Sequence, residues 1–212
     1  MTDKTVTPLD EGALSAVTGG ATSGGNDSVR GSDAPNLIFG QGGNDTILAG
    51  GGNDTVTGGS DNDSIAGQSG NDNLSGDDGQ DTMLGGEGND TMGGGAGSDI
   101  IVGGRGADLL YGDGVNVSGG GSDQFHWTRG DGNDTIIGGA GTDVLVIEDT
   151  SLTLQALLAG IRTDAGSATP RIENGAINLT GVTGTLTIGG ETLRFSELER
   201  LTVGPMTNFA NR

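Results

Sequence analysis

The sequence lacks cysteine altogether, and aromatic residues make up only 3% of its 212 positions. Without cysteine there is neither a disulfide scaffold nor a thiolate metal site. No run of about 18 apolar residues is present, so the sequence predicts no membrane span. With 9 Lys+Arg against 29 Asp+Glu, the net charge of -20 would repel phosphate and argues against a nucleic-acid partner. The scarcity of aromatic side chains argues against a conventional hydrophobic core.

Glycine and aspartate are abundant, and their spacing separates a disordered chain from a repeat protein. Reading in steps of nine gives Asp27, Asn36, Asp45, Asp54, Asp63, Asp72, Asp81, Asp90, Asp99 and Asp108. Two residues after each of them stands Val29, Ile38, Ile47, Val56, Ile65, Leu74, Met83, Met92, Ile101 or Leu110. In a chain that is 31% hydrophobic, ten apolar residues in register have odds of about one in a hundred thousand. The chain is therefore a repeat protein.

The repeat unit is G-G-x-G-x-D-x-U-x, where U is a bulky apolar residue, as in the segment from Gly85 to Met92. Three residues around U suit a short strand with its apolar side chain pointing inward. The six residues before them suit a turn, where glycine permits positive φ and close backbone approach. Nine residues then make half a coil, so alternate aspartates stack on opposite sides of a solenoid.

Stacked coils lie about 4.8 Å apart, which would place the carboxylates of each stack in mutual repulsion. A hard divalent cation that accepts carboxylate and carbonyl oxygens removes that conflict. Calcium tolerates many oxygen ligands in flexible geometry, whereas magnesium demands a tight octahedron. With one histidine and no cysteine, the chain is poorly suited to zinc, copper or iron. The pattern therefore predicts several bound Ca²⁺ ions.

Residues 24–111 resemble the RTX β-roll, the hemolysin-type calcium-binding repeat of proteins exported by bacterial type I secretion. This resemblance implies an all-β fold, a right-handed parallel β-roll, with calcium held between neighbouring turns by aspartate carboxylates and turn carbonyls. Position 36 departs from the pattern because Asn36 replaces the aspartate. Residues 112–147 resemble the distal end of such rolls, with weaker repeats after a glycine-rich insertion. The implied metal ligands are Asp27, Asp45, Asp54, Asp63, Asp72, Asp81, Asp90, Asp99, Asp108, Asp123, Asp134 and Asp143.

Residues 148–212 abandon the repeat, and we expect them to form a C-terminal β cap that also carries the secretion signal. An open roll end would expose unpaired strand edges, which a cap covers. Just before this region the sequence predicts a buried strand over Val144–Ile147. Within it the sequence predicts a short helix or strand over Ser151–Arg162 and hairpin turns at Asn174-Gly175 and Gly189-Gly190. A capping box over Ser196–Glu199 predicts one helical turn.

Residues 1–23 form an N-terminal arm in this reading. Leu9, Leu14, Val17 and Gly19-Gly20 resemble a double-glycine leader of the bacteriocin type, which an exporter would cut after Gly20. The alternative is a short solvated arm.

The resemblance implies a secreted, extracellular bacterial protein that engages the type I secretion apparatus during export, and we expect it to be non-enzymatic and to fold when it binds external calcium. Roll and cap occupy the sequence and leave no catalytic domain. The alternatives are an adhesin-like module that binds a polysaccharide or a cell surface, and an RTX module of a polysaccharide-modifying enzyme or toxin. His126, the single histidine, is expected to pack or to contact a turn.

Overall fold

The nonapeptide period folds into short strands that alternate between two parallel sheets. The computed structural model describes residues 15–18, 24–114 and 120–205. Strands are numbered in chain order, so the even-numbered strands of the repeats fall in one sheet and the odd-numbered strands in the other. Each strand pairs in parallel with the strand one full coil away, as Thr46 opposite Ser64 illustrates. The prediction of an all-β, parallel β-roll is confirmed.

The two sheets each contain ten strands. The even sheet runs through β2 Ser28–Arg30, β4 Thr46–Gly51, β6 Ser64–Ser69, β8 Thr82–Glu87, β10 Ile100–Arg105, β12 Gln124–Trp127 and β14 Val144–Ile147, then β20 Arg200–Val203, β17 Ala176–Asn178 and β16 Arg171–Glu173. The odd sheet runs through β1 Ser15–Thr18, β3 Asn36–Gly42, β5 Thr55–Ser60, β7 Asn73–Asp78, β9 Thr91–Ala96, β11 Leu109–Tyr111 and β13 Thr135–Ile137, then β19 Glu191–Ser196, β18 Gly184–Ile188 and β15 Ile161–Thr163.

The core of the roll is a single file of apolar side chains from each sheet. All ten residues at the U position are at most 2% exposed, as expected for one inward-facing side chain in each short strand. Towards the C-terminal end the core widens, because Phe125 and Trp127 are also buried. Full burial of each aliphatic side chain contributes about 1.5–3 kcal/mol.

The turns between strands use positive φ angles that glycine adopts without strain. Gly97 has φ 129°, and a Cβ there would overlap the carbonyl oxygen of Gly79 in the neighbouring turn. Asp61 stands where most repeats have glycine and adopts φ 77°. Aspartate tolerates this region better than most residues, so the turn keeps its shape.

The insertion after β11 leaves the stacking of coils intact. Strand β10 pairs in parallel with β12 across it, with Ile100 opposite Gln124. Likewise β11 pairs in parallel with β13, with Leu109 opposite Thr135. The weaker repeats therefore continue the roll in register.

The cap contains one helix and antiparallel strands. Helix α1, Leu154–Gly160, begins after Thr153, whose hydroxyl accepts a hydrogen bond from the Ala156 N–H at 3.2 Å. Both predicted hairpins are present: β16 and β17 flank Asn174-Gly175, and β18 and β19 flank Gly189-Gly190. All four turn residues have positive φ, as type I′ turns require.

The predicted helical turn over Ser196–Glu199 is wrong. Strand β19 extends through Ser196 and β20 begins at Arg200, with Glu197 at φ 54° between them. Pairing of β19 with β13 and of β20 with β14 holds both flanks extended, so tertiary pairing overrides the local helical signal.

Most of the proposed leader lies outside the described residues, apart from Ser15–Thr18 in β1, whose backbone pairs in parallel with β3. Helix α1 has seven residues, and within the described ranges no helix has the length and apolar character needed to cross a bilayer.

Candidate metal centre

Buried aspartates precede the repeat strands and stack in two columns. The even column, before the even strands, consists of Asp45, Asp63, Asp81, Asp99, Asp123 and Asp143. The odd column, before the odd strands, consists of Asp54, Asp72, Asp90, Asp108 and Asp134. These eleven residues are at most 3% exposed. Asp27 lies at the start of the even column and is half-buried.

One carboxylate oxygen of each column residue accepts a backbone hydrogen bond from the preceding coil. The Asp63 N–H donates to Asp81 Oδ1 at 2.7 Å, and the Asp81 N–H donates to Asp99 Oδ1 at 2.8 Å. The pattern crosses the insertion, where the Asp99 N–H donates to Asp123 Oδ1 at 2.9 Å. The Asp27 N–H starts the even column by donating to Asp45 Oδ1. Oδ1 therefore ties neighbouring coils together.

The second oxygen is buried without a hydrogen-bond partner in ten of the eleven column residues. These are the Oδ2 atoms of Asp45, Asp54, Asp63, Asp72, Asp81, Asp90, Asp99, Asp108, Asp123 and Asp143. Leaving a buried acceptor unsatisfied costs about 1–3 kcal/mol, and more when the group is charged. Asp134 is the exception, because its Oδ2 accepts a hydrogen bond from Trp127 Nε1 at 2.8 Å.

Nine of the ten unpartnered oxygens lie against a glycine, and at most of these glycines a backbone carbonyl oxygen approaches the same point. A Cβ built on Gly58 would overlap both Asp63 Oδ2 and the carbonyl oxygen of Gly76 in the next coil. The same coincidence of carboxylate and carbonyl recurs at Gly40, Gly67, Gly76, Gly85, Gly94 and Gly112. A carboxylate oxygen and a carbonyl oxygen thus flank one small space between coils, which is the oxygen-rich environment that calcium prefers.

Side chains alone do not complete such a site. Across the described residues, no three His, Asp or Glu side chains come together as a metal cluster. A cation between coils would therefore depend on carbonyl oxygens as well as carboxylates. That donor set suits calcium and is poorly suited to zinc or copper.

Burial raises the pKa of every column carboxyl above its ordinary value, while the backbone hydrogen bond to Oδ1 opposes this rise. In every column residue except Asp72, repulsion from nearby carboxylates raises the pKa further. The pKa values of Asp63, Asp99, Asp108 and Asp123 rise to about 7. Those of Asp54, Asp81, Asp90, Asp134 and Asp143 rise to about 6. Those of Asp45 and Asp72 are also raised. Near neutral pH the columns need protons or a cation.

Asn36 occupies the aspartate position of its half-coil, and its side chain brings no charge to that position. Its backbone N–H donates to Asp54 Oδ1 at 2.7 Å, as an aspartate there would. Its Oδ1 accepts from the Ser32 N–H at 2.7 Å, and its Nδ2 donates to Ser32 Oγ at 3.2 Å. The amide is satisfied within its own turn.

Two acidic residues that sequence reasoning did not select join the even column. Asp113, in the insertion, accepts a hydrogen bond from the Ala140 N–H at 2.7 Å through Oδ2, while its Oδ1 is buried and unpartnered. Glu199 accepts a hydrogen bond from the Asp143 N–H at 2.7 Å. For Glu199 the missed signal was Glu199-Arg200-Leu201, which repeats the spacing D-x-U with glutamate in place of aspartate.

In a comparison with known protein families, this chain matches the model of the RTX calcium-binding nonapeptide repeat. The matched residues are 22–56, 57–92, 93–116 and 130–146. These four matches cover more than half of the chain. No curated protein sequence matches significantly. Among solved structures, the extracellular lipase LipA from Serratia marcescens aligns at 15% identity with a TM-score of 0.28, over 84% of this chain. That alignment spans 38% of the lipase and carries no argument about activity.

Proposed function

The chain belongs to the family of RTX calcium-binding nonapeptide repeat proteins, and we propose that it is a secreted, non-enzymatic protein that folds upon binding extracellular calcium. The observation that carries this proposal is the set of ten buried Oδ2 atoms without a partner, arranged in two columns. Burial of so many unpartnered carboxylates is unfavourable unless a cation or a proton neutralises them.

The residues that would hold calcium are the twelve aspartates implied by the repeat, together with carbonyl oxygens of the adjacent turns. Asp81 represents the set: its Oδ1 accepts a hydrogen bond from the Asp63 N–H of the preceding coil, while its Oδ2 lies against Gly76. Asp27, which is half-buried, would contribute at the edge of the even column. Asp134 would contribute least, because Trp127 already donates to its Oδ2. When bound, calcium would supply positive charge between neighbouring coils within each column.

Export in an unfolded state follows from the same electrostatics. Extracellular calcium modules bind at about 10⁻⁴–10⁻³ M, so the columns would stay unneutralised where calcium is scarce. A chain with net charge -20 would then remain extended and able to pass through a secretion channel. We infer export by a type I apparatus from the family, with the signal in residues 148–212.

A calcium titration followed by far-UV circular dichroism tests this proposal. We expect a cooperative gain of β signal with calcium and little or none with equimolar magnesium, because magnesium requires a tight octahedron that the turns do not offer. Full β signal in excess chelator at neutral pH would contradict calcium-dependent folding. Hydrolysis in a screen of ester, peptide and alginate substrates would contradict the non-enzymatic part.

A surface module that binds an acidic polysaccharide is a second candidate, supported by one cavity on the outer face of the even sheet. The cavity, of about 290 Å³, has Leu84 and Val102 among its lining residues, together with Arg105 and Arg129. Each arginine is also paired with an acid, Arg105 with Glu87 and Arg129 with Asp149. Gel retardation on alginate should separate this candidate, and Arg105→Ala with Arg129→Ala should abolish any retardation that depends on the cavity.

A further inference from the structure

The even column continues beyond the last nonapeptide repeat into the cap. Strand β20 pairs in parallel with β14, placing Arg200 opposite Val144 and Leu201 opposite Leu145. Leu201 is 0% exposed and occupies the U position. Glu199, two residues before it, therefore stands where each repeat has its aspartate.

Three hydrogen bonds at this junction reproduce those between ordinary coils. The Asp143 N–H donates to Glu199 Oε2 at 2.7 Å, as the Asp123 N–H donates to Asp143 Oδ1 at 2.9 Å. The Arg200 N–H donates to the Asp143 carbonyl at 3.1 Å, as the Val144 N–H donates to the Asp123 carbonyl. The Gly138 N–H donates to the Ser196 carbonyl at 3.0 Å, as the Gly112 N–H donates to the Ile137 carbonyl.

An unpartnered oxygen faces the junction. Asp143 is 0% exposed, and its Oδ2 has no hydrogen-bond partner. A Cβ built on Gly138 would lie 2.8 Å from that Oδ2 and would overlap the carbonyl oxygen of Glu197. In the preceding gap, Asp123 Oδ2 and the Gly138 carbonyl oxygen flank Gly112 in the same way. The junction thus offers the same pair of oxygens as a repeat gap.

The odd column, in contrast, ends without a further carboxylate. Its last member, Asp134, has Oδ2 occupied by Trp127 Nε1. Strand β19 then pairs with β13 so that Arg194 lies opposite Thr135, which leaves the buried Leu193 at the position of the next aspartate. A neutral donor and an apolar residue terminate this column, so no carboxylate continues it.

We propose that Glu199, Asp143 Oδ2 and the Glu197 carbonyl oxygen form an additional calcium site where the roll meets the cap. This inference rests on the proposed calcium-binding function. The glutamate keeps the hydrogen bond of a repeat aspartate through Oε2 and brings a negative charge to the gap. Calcium accepts this combination of carboxylate and carbonyl oxygens.

Ion counting by native mass spectrometry of the full chain in saturating calcium tests the site. Glu199→Gln retains an oxygen that can accept the Asp143 N–H but removes the charge, and we expect it to bind one ion fewer than the unsubstituted chain. Glu197→Gln is the matched control: it makes the same charge change on an exposed side chain of the same turn and should keep the full count. Glu199→Asp, which restores the repeat residue, should also keep it.

The outcomes separate this site from the general function. If the unsubstituted chain binds no calcium, the proposed function fails. If it binds several ions and Glu199→Gln binds equally many, or Glu197→Gln also loses one, the junction site is wrong while the function stands. Should Glu199→Gln not fold, crystals of the unsubstituted chain soaked in terbium decide the matter. An anomalous peak between Asp143 and Glu199 is expected, and peaks confined to the repeat gaps would overturn the site.

Discussion

The roll and the cap differ in the kinds of side chain that they bury. Most half-coils of the roll bury one apolar residue and one aspartate, and among the described residues the eleven buried side-chain atoms without a partner lie between Asp45 and Asp143. The cap gathers a broader apolar cluster around Leu186, Phe195 and Leu198, and none of its described side chains contributes to that unpartnered set. The cap can be held by the hydrophobic effect, whereas the roll needs added positive charge.

Acidification in the presence of chelator should produce the largest change, because it acts on both columns at once. The metal-free folded pKa values lie above the unfolded value near 3.9. Protonation of these aspartates therefore stabilises the metal-free folded state at low pH, and this contribution is lost as the pH rises through about 6–7. We expect more β signal in chelator at about pH 5 than at about pH 7.5, measured by circular dichroism.

When calcium is present but limiting, acidification should oppose folding instead of favouring it, because protons then compete with the cation for Oδ2. Acidification should raise the calcium concentration needed for half-maximal folding. A loss of β signal on acidification in chelator would contradict the assignment of raised pKa values to the columns.

Truncation of a core side chain should be the next largest effect and should separate the two regions by its calcium dependence. Leu74→Ala in the roll and Leu186→Ala in the cap each remove a side chain that is 1% exposed. Each should cost about 2–5 kcal/mol of unfolding free energy in saturating calcium, measured by denaturant titration. The Leu74→Ala chain should also need more calcium to fold. An unchanged calcium midpoint would show that roll folding and calcium binding are not coupled.

A single column charge should have a smaller effect. Asp81→Asn keeps an oxygen for the Asp63 N–H but removes the charge beside Gly76. We expect the calcium concentration at half-maximal folding to rise severalfold, with tenfold corresponding to about 1.4 kcal/mol. Asp164→Asn, which lies in the cap and pairs with Arg194 at the surface, is the control and should leave that midpoint unchanged. Equal shifts in the two variants would mean that net charge alone matters.

The smallest effect should come from a surface ion pair of the roll. Arg105 Nη1 lies 3.5 Å from Glu87 Oε1, and both side chains are largely exposed. Exposed pairs contribute about 0–1 kcal/mol, so Arg105→Ala should shift the thermal midpoint in calcium very little. A large loss of stability would instead indicate that the cavity beside Arg105 is structural.

The period of nine was sufficient to predict the short strands, the inward-facing apolar side chains and the stacking of alternate aspartates. Those features depend on spacing alone, since each strand such as β6 repeats the same inward positions. The turn residues Asn174-Gly175 and Gly189-Gly190 likewise carried enough conformational information to predict their hairpins.

Features that depend on the folded conformation could not be read from spacing. The hydrogen bond from Trp127 to Asp134, seven residues later, depends on how the chain folds between β12 and β13, and the His126 ring lies 2.8 Å from Glu148 through the pairing of β12 with β14. Glu199 was interpreted as part of a capping box because Ser196–Glu199 matches that local signal. The pairing of the following strand β20 with β14 shows that the D-x-U spacing of Glu199-Arg200-Leu201 was the signal to follow.

Hydrogen–deuterium exchange of the full chain, compared in calcium and in excess chelator at neutral pH, tests the central claim most directly, that buried unpartnered aspartates make the roll depend on calcium. We predict strong protection of amides in β4–β11 in calcium and its loss in chelator, with a smaller change in the β16–β18 region of the cap. Equal protection of β4–β11 in both conditions would contradict the claim.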